Sequence, residues 1–191
     1  EVFEQHKIVF NKDISESLHV AETESNFEES PEDAEPQNFW WLNANPSIWS
    51  IGEYKEGDIQ TYTTHNEKGN KRRIYKHFES LKPFDIIIGY ESSPTKQIQA
   101  IFEVTKGIHN TDYGEQVEFV IAEKLEVPVN WKDLKDIPML QDCEVFINNQ
   151  GSLFKLTEEE YDIIREVIDN KNIITENQQI TGRSKKYSFI N

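Results

Sequence analysis

Residues 39–66 read FWWLNANPSIWSIGEYKEGDIQTYTTHN and hold three of the chain's four tryptophans. Phe39 to Asn43 is too apolar for a strand with one wet face, so it reads as a strand buried on both. The Asn-Ala-Asn-Pro turn ends it, because Pro46 cannot donate to a ladder. Alternation sets Phe39, Trp41 and Asn43 on one face and Trp40 and Leu42 on the other. Trp49 then falls in a loop, Gly57-Asp58 marks a turn, and Ile59 to Thr63 alternates as a second strand. Aromatic faces beside amide side chains suit a pocket that stacks a flat heterocycle and reads its edge. The same residue types also build ordinary cores and turns, and both readings stand at this point.

Downstream, residues 65–82 set six basic residues against two acids in an otherwise acidic protein. Lys68, Lys71, Arg72, Arg73 and Lys76 form a candidate phosphate-facing patch. The alternative is a solvated helix face, since Ile74, Phe78 and Leu81 recur at helical spacing. Pro83 to Tyr90 is a buried-strand signal closed by Ser92, Ser93 and Pro94, and Ile98 to Thr105 should return as its antiparallel partner. Gln116 to Leu125 is a further strand, Trp131 to Leu140 at most a short helix or helical turn, and Leu153 to Leu156 a last short strand. Thr157 with Glu160 fits a capping box opening a helix through Tyr161, Ile164, Val167 and Ile168. Five or six short strands with modest helices describe an α+β domain on a curled antiparallel sheet.

Upstream, residues 1–37 carry eleven acids against two lysines, most of the net charge of −15. Their Glu, Ser, Asp and Pro content reads as an acidic linker. The single cysteine, Cys143, reads as a small buried residue of a protein kept in a reducing, cytoplasmic compartment. No leader opens the chain, no apolar run is long enough to span a membrane, and the lone Met139 suggests a piece of a longer protein. Neither a glycine-rich phosphate loop, nor metal-spaced Cys and His, nor a nucleophile elbow is present. His65, Ser92 and Glu91 make only a nonspecific acid–base set, so no catalytic residue, metal or cofactor is expected.

The runs WWLNANPSIW (40–49), YTTHNEKGNKRRIYKHF (62–78), FDIIIGYESSP (84–94), IFEVTKGIH (101–109) and NNQGSLFKLTEEEY (148–161) resemble EVE domains as they occur in McrB-like restriction proteins. The resemblance implies a PUA-like fold related to YTH domains, over residues 38–170, and a role in reading modified bases. It implies DNA as the partner, with an AAA+ GTPase motor and a nuclease subunit working alongside. Residues 171–191, ending KKYSFIN, would lead to that motor. By analogy with the YTH cage, Asn43 and Asn45 take the places of base-edge readers, and Tyr62 stands for a cage tryptophan followed by Thr63 and Thr64. Alternation and loop position add Trp41 and Trp49, and Asn66, Tyr90 and Ser92 complete the expected pocket. The strand around Phe119 to Ile121 offers no second cage tryptophan, so methylcytosine, hydroxymethylcytosine and methyladenine all stay open. An RNA reader, or a protein-interaction module with its aromatics in the core, is the alternative.

Overall fold

The computed structural model describes residues 36–187, with side-chain surroundings through residue 173. The expectations for residues 1–35 and 188–191 lie outside the described residues. Six strands follow in order: β1 (Phe39–Ala44), β2 (Ile59–Thr63), β3 (Ile86–Glu91), β4 (Gln97–Thr111), β5 (Gly114–Asn130) and β6 (Leu153–Leu156). The helices are α1 (Tyr75–Ser80), α2 (Trp131–Leu134), α3 (Glu144–Ile147) and α4 (Glu158–Tyr187).

The strands form one open sheet in the order β2-β5-β4-β3-β1-β6. The α+β class and six strands are as expected, but the sheet is mixed, since β1 and β3 run parallel from Phe39↔Ile86 to Ala44↔Glu91. Between them the chain places β2 on the far edge and returns through α1, so β3 re-enters the sheet in the direction of β1. β3 and β4 pair antiparallel, as expected, and the β4–β5 ladder runs on to Thr111↔Gly114.

Alternation along β1 divides its two fully buried indoles between the faces. Trp41 packs with Ile88, Ile101, Phe154, Ile164 and Ile168 on the side covered by α4. Trp40 packs with Leu42, Ile87, Phe102 and Phe119 on the side covered by Phe78 of α1. Burying each such large side chain stabilises by roughly 1.5–3 kcal/mol, which is why a strand with no polar face is stable only here. Cys143 is buried as expected, and burial pushes its thiol up to about 12.

Helix α1 is shorter than the spacing suggests. Ile74 sits in the left-handed region at φ 55° and turns into the α4-side core, while Phe78 and Leu81 enter the other. The capping box forms: Thr157 Oγ1 accepts from the Glu160 amide at 3.2 Å, and Glu160 Oε2 from the Thr157 amide at 2.8 Å. Helix α4 continues past Asn170, where rising polarity suggests a linker. Among the described residues, no helix is long and apolar enough to cross a membrane.

Gly89 shapes the end of β3. A Cβ there would meet Phe102 Cζ at 2.5 Å, and the β3–β4 register shifts between Gly89 and Tyr90. Such an irregularity re-aims the residues that follow, here Tyr90, Glu91 and Ser92. Gly89→Ala is expected to cost about 1–3 kcal/mol by overpacking. Urea denaturation checks it, and a midpoint equal to the wild type would contradict the close packing.

Candidate functional site

The parallel pair β1 and β3 ends side by side, joined by the Ser92 amide donating to the Ala44 carbonyl at 2.8 Å. Beyond these ends the chain leaves two cavities separated by Asn43. One of about 370 Å³ is lined by Asn45, Ile48, Trp49, Tyr62, Arg72 and Ser152, with Asn43, Ser92, Asn149 and Gly151. A smaller one of about 260 Å³ is lined by Tyr90, Ser93, Lys96 and Trp131, again with Asn43, Ser92 and Asn149. A wide groove of about 910 Å³ adjoins the larger cavity through Ile48 and Arg72, and Thr63, His65, Asn66, Lys68, Tyr113 and Glu115 line it too.

Asn43 is locked in place. Its Oδ1 accepts from Trp41 Nε1 at 2.8 Å, and its Nδ2 donates to the carbonyls of Asn149 and Gly151, both at 3.1 Å. Both amide donors are therefore used, leaving one acceptor lone pair. Asn45 is the reverse case. It is exposed, its Oδ1 accepts from the Ser47 amide at 3.0 Å, and its Nδ2 makes no hydrogen bond among the described residues. An amide donor is thus offered at the cavity by Asn45 and an acceptor by Asn43.

Tyr62 is half-buried on β2, and its hydroxyl donates to the Asn43 carbonyl at 3.4 Å. Trp49 meets it edge-on at 5.7 Å and packs on Phe102 and Phe119 behind. The loop carrying Trp49 is pinned by Glu91, buried at the end of β3, which accepts from Ser50 Oγ at 2.9 Å and the Gly52 amide at 3.0 Å. Lys124 Nζ adds a bond to the Ile51 carbonyl at 2.7 Å, and burial holds its pKa below the usual lysine range.

The other expected pocket residues separate. Trp41 is fully buried beneath Asn43 and orients its amide without lining the cavity. Thr64 is buried and donates to Glu115 Oε1 at 2.6 Å, so it ties β2 to the β4–β5 hairpin. That bond, together with one from Tyr75, holds the Glu115 carboxyl below its ordinary range. Thr63 and Asn66 line the groove, and Asn66 Oδ1 accepts from the amides of Lys68 and Asn70 to shape the basic loop. Tyr90 lines the smaller cavity, where burial pushes its hydroxyl up to about 12. His65 contacts Thr64 and Glu115, leaving the His65, Ser92, Glu91 set unassembled.

The basic segment also divides. Lys68, Arg73 and Lys76 are exposed, and Lys71 lies 3.6 Å over the Tyr75 ring. Arg72, expected in the phosphate-facing patch, turns inward, with Nε donating to the Thr63 carbonyl at 2.7 Å and Nη1 to Ser152 Oγ at 3.2 Å. Sequence reasoning passes over Asn149, Gly151, Ser152, Ile48 and Trp131. It is the β1–β6 pairing and the hydrogen bond from the Asn43 backbone amide to the Ser152 carbonyl that bring the first three to the cavity.

The chain is similar in structure to Atu2648 from Agrobacterium tumefaciens, with 22% identity and TM-score 0.56 over 69% of this chain and 92% of that one. It is also similar to Rpa0253 from Rhodopseudomonas palustris, with 20% identity and TM-score 0.54 over 66% and 89%. Human THYN1 protein, solved in complex with 5-methylcytosine containing DNA, aligns at 12% identity and TM-score 0.54 over 69% and 98%. These likenesses concern the fold. Comparison with curated proteins gives no match. Residues 38–167, a span that contains all six strands, match the EVE domain family, and the chain belongs to that family.

Proposed function

We propose that this domain reads a modified base in DNA by turning the base out of the duplex into the larger cavity. The observation that carries the reading is the lining of that cavity: aromatic rings, amides, hydroxyls and one guanidinium, beside an exposed basic loop. Such a set, rich in stacking faces and amide groups, suits binding and orienting a heterocycle. At about 370 Å³ the cavity is near the lower end of the 300–1,000 Å³ range for ligand sites, a size that suits one base. Asn45 Nδ2 would donate to an acceptor on the base edge and Asn43 Oδ1 would accept from an exocyclic amine. A methyl group buried against Ile48 and Trp49 would add roughly 0.8 kcal/mol. The DNA in the THYN1 complex supports taking methylcytosine as the first base to test.

We assign Lys68, Arg73 and Lys76 to the phosphates flanking the extruded nucleotide. Lys68→Ala, Arg73→Ala and Lys76→Ala together are expected to weaken modified and plain duplexes alike. The slope of log affinity against log salt should fall by about 0.9 for each phosphate that is no longer neutralised. A variant that loses only the modified duplex would contradict this division. In a full-length protein we propose the domain as the recognition module of a McrB-like system, with GTPase and nuclease activities on other domains or subunits. The resemblance of the quoted motifs supports that context.

The test is anisotropy binding, at one modest salt, to duplexes matched except for a bare, methylated or hydroxymethylated cytosine or a methylated adenine. The expected result is a preference of about tenfold, or 1.4 kcal/mol, for one modified duplex. Equal binding to all would remove the specificity claim, and tighter binding to modified RNA would move the reading to RNA. Failure with every nucleic acid would favour a protein-interaction module, tested by deleting residues 1–37.

A further inference from the structure

The Tyr62 ring is half-buried, and its neighbours cover much of it. Phe78 lies parallel to one side, with centroids 6.3 Å apart and planes within 5°, and the Arg72 guanidinium carbon lies 4.7 Å from the ring centroid. Trp49 closes the edge. A base entering the cavity therefore meets the Arg72 guanidinium in place of the bare tyrosine ring.

That guanidinium is fixed from three directions: by the Thr63 carbonyl at the end of β2, by Ser152 Oγ before β6, and by the ring of Tyr62. Its backbone is held too, since the Arg72 amide donates to the Thr64 carbonyl at 2.9 Å. Lys68, Arg73 and Lys76 are exposed, whereas Arg72 is half-buried. No second aromatic wall comes from β5, because Phe119 and Ile121 are both fully buried and Phe119 stacks on Phe102 at 4.8 Å. A planar, delocalised cation stacks on nucleobases as an aromatic ring does. Nη2 makes no hydrogen bond among the described residues, so it offers a donor to the base edge.

We infer that Arg72 is the stacking wall of the base cage and a determinant of its specificity, and not a phosphate contact. The inference rests on the reading of the larger cavity as a base pocket. Tyr62, Arg72 and the base then form one stack, with Tyr62 supporting the guanidinium from beneath. Because Arg72 also borders the groove, a phosphate contact is the competing role, and the two separate by salt dependence and by the shape of the replacement.

The experiment compares wild type, Arg72→Ala, Arg72→Gln, Arg72→Lys and Arg73→Ala on the preferred modified duplex and its plain match over a range of salt. Arg72→Ala is expected to lose about tenfold on the modified duplex, with the plain duplex and the salt slope unchanged. Gln keeps a planar head without charge and Lys keeps charge without a plane, so Gln should retain more of the preference than Lys. Arg73→Ala should weaken both duplexes and lower the slope by about 0.9. The inference is overturned if Arg72→Ala weakens both duplexes with a reduced slope, if Lys outperforms Gln, or if Arg72→Ala binds more tightly, which would make the side chain a plug. A wild type that prefers no modified duplex overturns the base-pocket reading itself, a failure visible before any variant is compared.

Discussion

Tyr62→Ala is expected to abolish the preference for a modified duplex while leaving plain-duplex binding within about twofold, since the exposed cations that carry nonspecific affinity are untouched. The ring is the central piece of the cage: it supports the Arg72 guanidinium, meets the edge of Trp49 and rests on Phe78. Removing it takes away the base for a stack worth about 1–3 kcal/mol. Tyr62→Leu restores bulk without a flat face and should fail in the same way, which separates loss of the stack from loss of packing. Matched-duplex anisotropy on both variants is the check. A preference surviving in either would contradict the account of the cage.

Asp85→Ala is expected to give the largest loss of stability, about 3 kcal/mol, because it strands buried donors instead of removing a complete pair. The Asp85 carboxylate is fully buried at the start of β3. It accepts from Trp40 Nε1 at 2.9 Å, the Asn38 amide at 3.0 Å, Asn38 Nδ2 at 3.1 Å and the Lys82 amide at 3.2 Å. Those bonds align the entries of the two parallel strands and satisfy the indole N–H in the core. Asp85→Asn keeps part of the acceptor set and should fall between. Equilibrium urea denaturation measures both, and a loss below about 1 kcal/mol for the alanine variant would contradict the network. The site lies at the opposite ends of β1 and β3, so folded Asp85→Asn should retain its choice of duplex.

What could be read in the sequence was local. Trp40 and Trp41 could be sent to opposite faces because a strand alternates with period two, and the Thr157–Glu160 box could be read because its partners are three residues apart. The parallel pairing of β1 with β3 could not, since a run buried on both faces carries no mark of its neighbour's direction. Asn43 was legible as a polar residue on the Trp41 face, but its donors go to carbonyls 106 and 108 residues away. Arg72 sits in a basic run, and a run of cations reads as a surface patch. Its inward turn depends on Ser152, eighty residues on. The helical spacing of Ile74, Phe78 and Leu81 misled for a related reason. A left-handed Ile74 starts the helix one residue later and sends its own side chain to the other core.

The central claim is that the modified base leaves the duplex and enters the cavity at Asn45, Tyr62 and Arg72. It is tested most directly by the emission of 2-aminopurine placed beside the modified base during titration with the wild type. Unstacking beside an extruded base releases the probe's emission. The account predicts a rise that saturates with binding on the modified duplex and is absent with Tyr62→Ala. Tight, modification-dependent binding with no change in emission would mean the base is read within the duplex and would contradict it.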